Sequence, residues 1–304
     1  MQEKVEDIEI DRDMSTKDLI ERMYRAGGFT AKKLASGLEI LKRMEREDCY
    51  NFLSFPACII ATGIRGVIKD LVKNKLFDCI ITTCGTLDHD LARIWKDYYH
   101  GDFNLDDVKL HREGINRLGN VLVPNESYGI VLEEKLQKIF EKMENKTYSS
   151  RELIWEIGKN IDSEDSIVYW AYKNKIPIFI PGITDGAFGY QLWLYTQENK
   201  LRIDPLKDET ELSDIIYSHE KTGALMIGGG ISKHHTIWWN QFKGGLDYAV
   251  YITTAPEWDG SLSGARVREG VSWGKIKEEA RYVTIEGDAT VILPILSLAL
   301  FQSL

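Results

Sequence analysis

The sequence predicts an α/β protein, a doubly wound and mostly parallel sheet preceded by an N-terminal helical extension. Two observations carry this reading. The apolar runs Cys79-Ile80-Ile81-Thr82-Thr83, Ile176-Pro177-Ile178-Phe179-Ile180, Ala224-Leu225-Met226-Ile227 and Tyr248-Ala249-Val250-Tyr251-Ile252 are continuous, not alternating, as expected for strands buried on both faces. Longer helical patterns separate them, which is the βαβ signature.

The elements follow in order. Ser15-Thr16-Lys17-Asp18 supplies hydroxyls for a helix cap, and Leu19, Ile20 and Met23 recur at helical spacing. Gly27-Gly28 breaks that pattern, and Thr30 can cap a second helix with Leu34, Leu38 and Leu41 on one face. We take residues 1–48 as the extension and residues 49–304 as a single catalytic α/β domain. Phe52 to Phe55 reads as a strand and Gly63 to Asn74 as a helix with Ile64, Val67, Ile68 and Leu71 on one face. Residues 101–130, rich in Asp and Gly, read as an irregular insertion.

Composition excludes several classes. The chain has 304 residues, 43% of them hydrophobic, enough for a sizeable core. The formal net charge is -9, with no basic stripe, so no nucleic-acid partner is expected. The longest apolar run, Val291 to Phe301, contains Pro294 and is shorter than the roughly 20 residues a bilayer requires, so no membrane span is expected. Cys49, Cys58, Cys79 and Cys84 lack metal-type spacing and read as reduced thiols. The polar start Met1-Gln2-Glu3 is no signal peptide, and a cytoplasmic location is expected. No metal site is expected.

In open α/β sheets, ligands bind beyond the carboxyl ends of the strands. Here those ends carry Thr82-Thr83-Cys84-Gly85, Thr184-Asp185-Gly186, Gly228-Gly229-Gly230 and Thr253-Thr254-Ala255, where small residues and free N–H groups could receive a nucleotide. Tight strand-to-helix turns account for each of them equally well. His234 could face a ligand as a proton carrier, or be satisfied by the backbone at a helix start. Trp238-Trp239 reads as core or interface. Glu257-Trp258-Asp259-Gly260-Ser261 suits an organic ammonium by charge and cation–π attraction, or is a plain surface loop. Lys275 follows Trp273 and Gly274 and lies near Glu269. Beside an aromatic wall and out of water a lysine amine becomes a nucleophile, whereas most lysines are solvated.

The segments Gly228-Gly-Gly-Ile-Ser-Lys-His-His235, Asp247-Tyr-Ala-Val-Tyr-Ile252, Glu257-Trp-Asp-Gly-Ser-Leu-Ser-Gly-Ala-Arg266 and Val271-Ser-Trp-Gly-Lys-Ile276 resemble the deoxyhypusine synthase family. The likeness runs from about residue 15 to the C-terminus. It implies a Rossmann-like fold, a homotetramer, and an N-terminal segment covering a neighbour's active site, here residues 1–26. It implies NAD as cofactor, spermidine as donor and the precursor of translation initiation factor 5A as acceptor. Through it, Lys275 is the nucleophile that carries the 4-aminobutyl group as an imine, with His234 and Glu269 as the other catalytic residues. Trp273, Gly260 and Ser261 are substrate-binding. Thr83, Cys84, Gly85, Asp185, Gly229, Thr254, Ala255, Asp288 and Ala289 are cofactor-binding.

Four positions depart from the family's eukaryotic pattern: Asp88-His89 replaces two glutamates, Leu262 an aspartate, and Tyr190 an aspartate. Asp88 and His89 are therefore expected to take part in recognising the amine. Two alternatives stay open: a homospermidine synthase-like enzyme with a free polyamine acceptor, and a non-catalytic NAD-binding paralogue.

Overall fold

The structure is a computed structural model that describes residues 3–304; Met1 and Gln2, where the expected extension begins, lie outside the described residues. The chain forms two compact units. The first comprises the described residues up to Phe55, with Leu76–Cys79 and Leu212–Leu304, and the second is Pro56–Lys75 and Ile80–Glu211.

In the first unit, strands Ile276–Glu286, Leu246–Thr253, Thr222–Ile227 and Tyr50–Ser54 lie side by side in that order, all parallel. Every residue of Thr222–Ile227 is buried, which explains its unbroken apolar run. Helix Phe29–Arg46 lies across this sheet and buries Leu34, Leu38, Leu41 and Met44. Two glycines let it approach closely. A Cβ on Gly37 would come within 2.9 Å of Ile285 Cδ1, and one on Gly223 within 2.7 Å of Met44 Cε. Helix Thr16–Arg25 begins at Ser15 as expected, with the Ser15 hydroxyl accepting from the Asp18 N–H. The next helix starts earlier than Thr30: Gly28 is its cap and Phe29 its first residue. Helix Ala289–Phe301 is apolar nearly throughout and buries Ile292, Leu293, Leu296 and Leu300.

In the second unit, strand Ile178–Phe179 pairs in parallel with Ile80 and Ile81. Residues 99–124 are more regular than the sequence suggests. Tyr99–His100, Val121–Pro124 and Ile115–Leu118 form a three-stranded antiparallel sheet, with Gly119 (φ +61°) turning the Leu118/Val121 hairpin.

A buried ion pair pins this unit. Asp90 is fully buried and accepts from Arg65 Nε (2.7 Å), Ser166 Oγ (2.7 Å) and the N–H groups of Ile167 and Val168 (3.1 Å each). It thus neutralises a buried guanidinium and caps helix Ile167–Asn174 in one contact. All four cysteines are free thiols. No helix among the described residues is long and apolar enough to cross a membrane.

Replacing Asp90 by Asn should remove the charge that Arg65 needs while keeping the shape. Leaving one partner of a buried pair alone costs about 3 kcal/mol or more. Urea unfolding of Asp90→Asn should therefore show a midpoint well below that of the wild type.

Candidate active site

In the first unit, chain geometry fixes Lys275 before any side chain does so. Its N–H donates to Gly270 O (2.9 Å), and its carbonyl accepts from the Leu246 N–H (3.1 Å). Gly274, at φ +67°, turns the chain out of the short helix Glu269–Ser272 into strand Ile276–Glu286, a conformation that favours glycine. Gly270 permits the turn, since a Cβ there would lie 2.7 Å from Ile276 Cγ1.

The Lys275 ammonium lies 5.2 Å from the Trp273 ring centre and 5.9 Å from that of Trp238. Trp238, read from sequence as core or interface, is thus the second aromatic wall. His234, one turn earlier on helix Gly230–Gln241, stacks on Trp238 with ring centres 5.8 Å apart and planes 18° from parallel. Desolvation, then the charge of Lys275, lowers the pKa of His234 and favours the neutral ring. The i, i+4 spacing of His234 and Trp238 was the available signal, and adjacency to Trp239 masked it.

A cavity of about 170 Å³ opens beside Lys275, with Met226, Ile237, Val267 and Ile276 as its apolar floor and Glu269, Trp273 and Lys233 at its sides. Trp273 is 64% exposed, so it is a wall open to solvent and not a plug. Of the acidic loop, Leu262 lines the cavity, whereas Ser261 is held by Asp259 (Oγ to Oδ1, 2.7 Å) and Gly260 faces open space. Trp258 is 88% exposed. Glu257 pairs with Arg268. His234 is not part of the cavity lining and reaches Lys275 through Trp238.

The cofactor positions in this unit gather at adjacent strand ends. The Gly228 N–H donates to Ile252 O (2.8 Å) and the Gly287 N–H to Thr253 O (2.9 Å), which places Gly229, Thr254 and Ala255, and Asp288 and Ala289 on neighbouring turns. Asp288 caps its own helix by accepting from the Thr290 N–H (2.8 Å). Helix Gly230–Gln241 receives no side-chain cap from Gly229, and a Cβ on Gly230 would meet nothing within 4 Å. Open donors and open space at a helix start fit a phosphate-bearing group such as NAD.

In the second unit, Thr83 stands at the N-cap position of helix Cys84–Trp95 but makes no side-chain cap bond; its hydroxyl instead accepts from the Ala57 N–H (3.2 Å). Cys84 is buried, and burial raises its thiol pKa. Gly186 packs so closely that a Cβ would lie 2.7 Å from Asp88 Oδ2 and 2.8 Å from Cys84 Sγ, while Asp185 beside it is exposed.

The expectation that Asp88 meets the amine changes here. Asp88 is 1% exposed. Its carboxylate accepts from Tyr128 Oη (2.7 Å) and from the N–H groups of Ala187 (3.0 Å) and Phe188 (2.7 Å). It caps helix Ala187–Glu198, so its oxygens serve the fold. His89 is also buried. Its Nδ1 shares a hydrogen bond with Tyr98 Oη (2.9 Å), and it borders an open cavity of about 700 Å³ with Tyr128, Tyr190, Glu133 and Gln191.

A family profile for deoxyhypusine synthase matches residues 18–300. The chain is 59% identical over 299 residues to the Picrophilus torridus protein named "Probable deoxyhypusine synthase", spanning 97% of this chain and 96% of that one. It is 49% identical over 302 residues to the Ignicoccus hospitalis protein of the same name, spanning 97% and 95%. Among solved structures it superposes on "a putative deoxyhypusine synthase from Entamoeba histolytica" with a TM-score of 0.66 at 21% identity, spanning 98% and 97%. It also superposes on AgrE in ternary complex with ornithine and NAD+, with a TM-score of 0.53 at 12% identity, spanning 97% of this chain and 34% of that one. At these identities the two structures speak to fold alone.

Burial, then the charge of Arg93, pushes His89 down to about 4 from its ordinary 6.5. The folded protein therefore keeps His89 neutral where an unfolded chain would bind a proton. The stability this confers is full above about pH 6.5 and falls as pH drops toward 4, by on the order of 3 kcal/mol. Asp88, whose pKa burial raises, acts in the opposite direction. The His89 part should appear as the difference between wild type and His89→Gln in denaturation series from pH 7 to 4, with the variant losing stability less steeply.

Proposed function

We propose a reaction from one premise: the chain belongs to the deoxyhypusine synthase family. It is then a transferase that moves the 4-aminobutyl group of spermidine to a lysine of the translation initiation factor 5A precursor. The observation that carries the proposal is the placing of Lys275 Nζ between two tryptophan rings at the side of a cavity that also holds Glu269.

NAD, bound at the glycine turn, would take a hydride from the secondary amine and later return it, so the transfer needs no net oxidant. The residues proposed to hold it are Gly229, Thr254, Ala255, Asp288 and Ala289 of the first unit.

Lys275 attacks as a free amine. Its nitrogen adds to the carbon of the substrate imine, the bond from that carbon to the diaminopropane nitrogen breaks, and the aminobutyl group stays on Lys275 as an imine. The acceptor lysine then repeats the exchange and frees Lys275. Each exchange moves protons between nitrogens. His234 is the proposed proton carrier by the family resemblance; burial favours its neutral ring, and it stacks on Trp238, the aromatic wall beside Lys275. Glu269 offers a carboxylate at the cavity for a substrate ammonium, and Trp273 and Trp238 offer ring faces to the same cation. The aliphatic floor suits the methylene chain between charges.

A homotetramer, with residues up to about 26 covering a neighbour's site, belongs to the same proposal. Its support is apolar surface left uncovered on one chain, at Val5, Ile10, Val291 and Leu298.

The test is direct. Incubation with NAD and labelled spermidine, followed by borohydride, should leave the label on the peptide containing Lys275. Lys275→Ala and Lys275→Arg should lose both label and transfer while NAD binding persists. Residual transfer by either variant would overturn the assignment. Label ending on a free polyamine instead of the factor 5A precursor would point to a homospermidine synthase-like enzyme. NAD binding with no trapped adduct would point to a non-catalytic paralogue.

A further inference from the structure

Lys233 is 2% exposed, an unusual place for a lysine. It sits in the first turn of helix Gly230–Gln241, and its ammonium donates to Leu262 O (2.9 Å) and Ala265 O (2.6 Å). Below it lies the face of Tyr251, with the ring centre 3.6 Å from Nζ. The carbonyls between those two are also held. Ser263 O accepts from Tyr251 Oη (2.7 Å) and Thr253 Oγ1 (2.9 Å), and Gly264 O from Arg266 Nη1 (3.0 Å).

Four consecutive carbonyls, 262 to 265, therefore each accept from a side chain. A surface loop rarely has every carbonyl drawn inward in this way. The loop also sits directly on the glycine turn, since a Cβ on Gly229 would lie 2.5 Å from the Ser263 backbone. Lys233 alone of these donors serves two of the four carbonyls and itself borders the Lys275 cavity, with Leu262, Ala265 and Arg266. Burial pushes its pKa down to about 7, against the raising effect of Glu269, so the amine and its two hydrogen bonds are kept here although burial disfavours the charged form.

We propose that Lys233 is a positioning residue. It holds residues 262–265 in the shape that forms one wall of the Lys275 cavity, and so sets how tightly the donor amine is held there. The inference rests on the reading of Lys275 as the reacting group.

Lys233→Met keeps most of the aliphatic stem and removes the donors. The variant should raise KM for spermidine about thirtyfold or more while kcat changes less than fivefold. Without substrate, the amides of residues 262–266 should exchange with deuterium at least tenfold faster than in the wild type. Lys233→Arg, which keeps charge and donors, should recover part of both. If Lys233→Met does not fold, Lys233→Gln is measured in the same way. A folded variant with KM within threefold of wild type, or with loop exchange unchanged, would overturn the proposal. Loop exchange needs no activity, so a wild type that forms no borohydride-trapped adduct would sink the Lys275 reading and still leave the clamp to be decided.

Discussion

The first N–H groups of a helix have no partner within it. How each such start is satisfied decides what this molecule can do. Asp90 fills the start of Ile167–Asn174, Asp88 that of Ala187–Glu198, and Asp208, through the N–H groups of Ser150 and Arg151, that of Ser150–Asn160. All three carboxylates are buried and come from distant parts of the sequence, so each cap is also a tertiary tie. At Gly229 no side chain fills the helix start. That helix start carries no such tie.

The Lys275 site follows the same economy of backbone. The lysine is located by hydrogen bonds from its own N–H and carbonyl, and two glycines shape the approach. Its side chain is then confined by rings on two different elements, one just before it and one on helix Gly230–Gln241. That helix contributes His234, Trp238 and Lys233 to three different tasks. His234 and Trp238 share a face one turn apart, while Lys233 points inward to the loop.

Much of this was legible in the sequence. Runs such as Ala224 to Ile227 could be only buried strands or buried helix, and the glycines after them chose strands. The strand Ile276–Glu286 was not foreseen because it opens with the charged run Lys277-Glu278-Glu279 and buries only Ile276 and Ile285, so no apolar run marks it. Residues 99–124 hid a small sheet because its strands have two to four residues, too few for a period to show. Asp88 looked like a ligand group because, with His89, it stands where the family's eukaryotic members carry two glutamates. Only the fold shows that its oxygens are committed to Ala187 and Phe188, about 100 residues away. Lys233 was passed over because a buried lysine leaves no mark in a sequence; its acceptors are carbonyls, which every residue has.

The strand that begins directly after Lys275 lies at the margin of its unit's sheet, with one row of backbone groups left unmatched. Such a row can template the addition of another chain's strand. Its early residues Lys277, Glu278, Glu279 and Arg281 carry charge of both signs, and stacking a second strand on them would strip water from several ions at once. The segment that follows Lys275 is thereby guarded against aggregation. A crowded solution can bring many copies together without this strand becoming the seam that joins them.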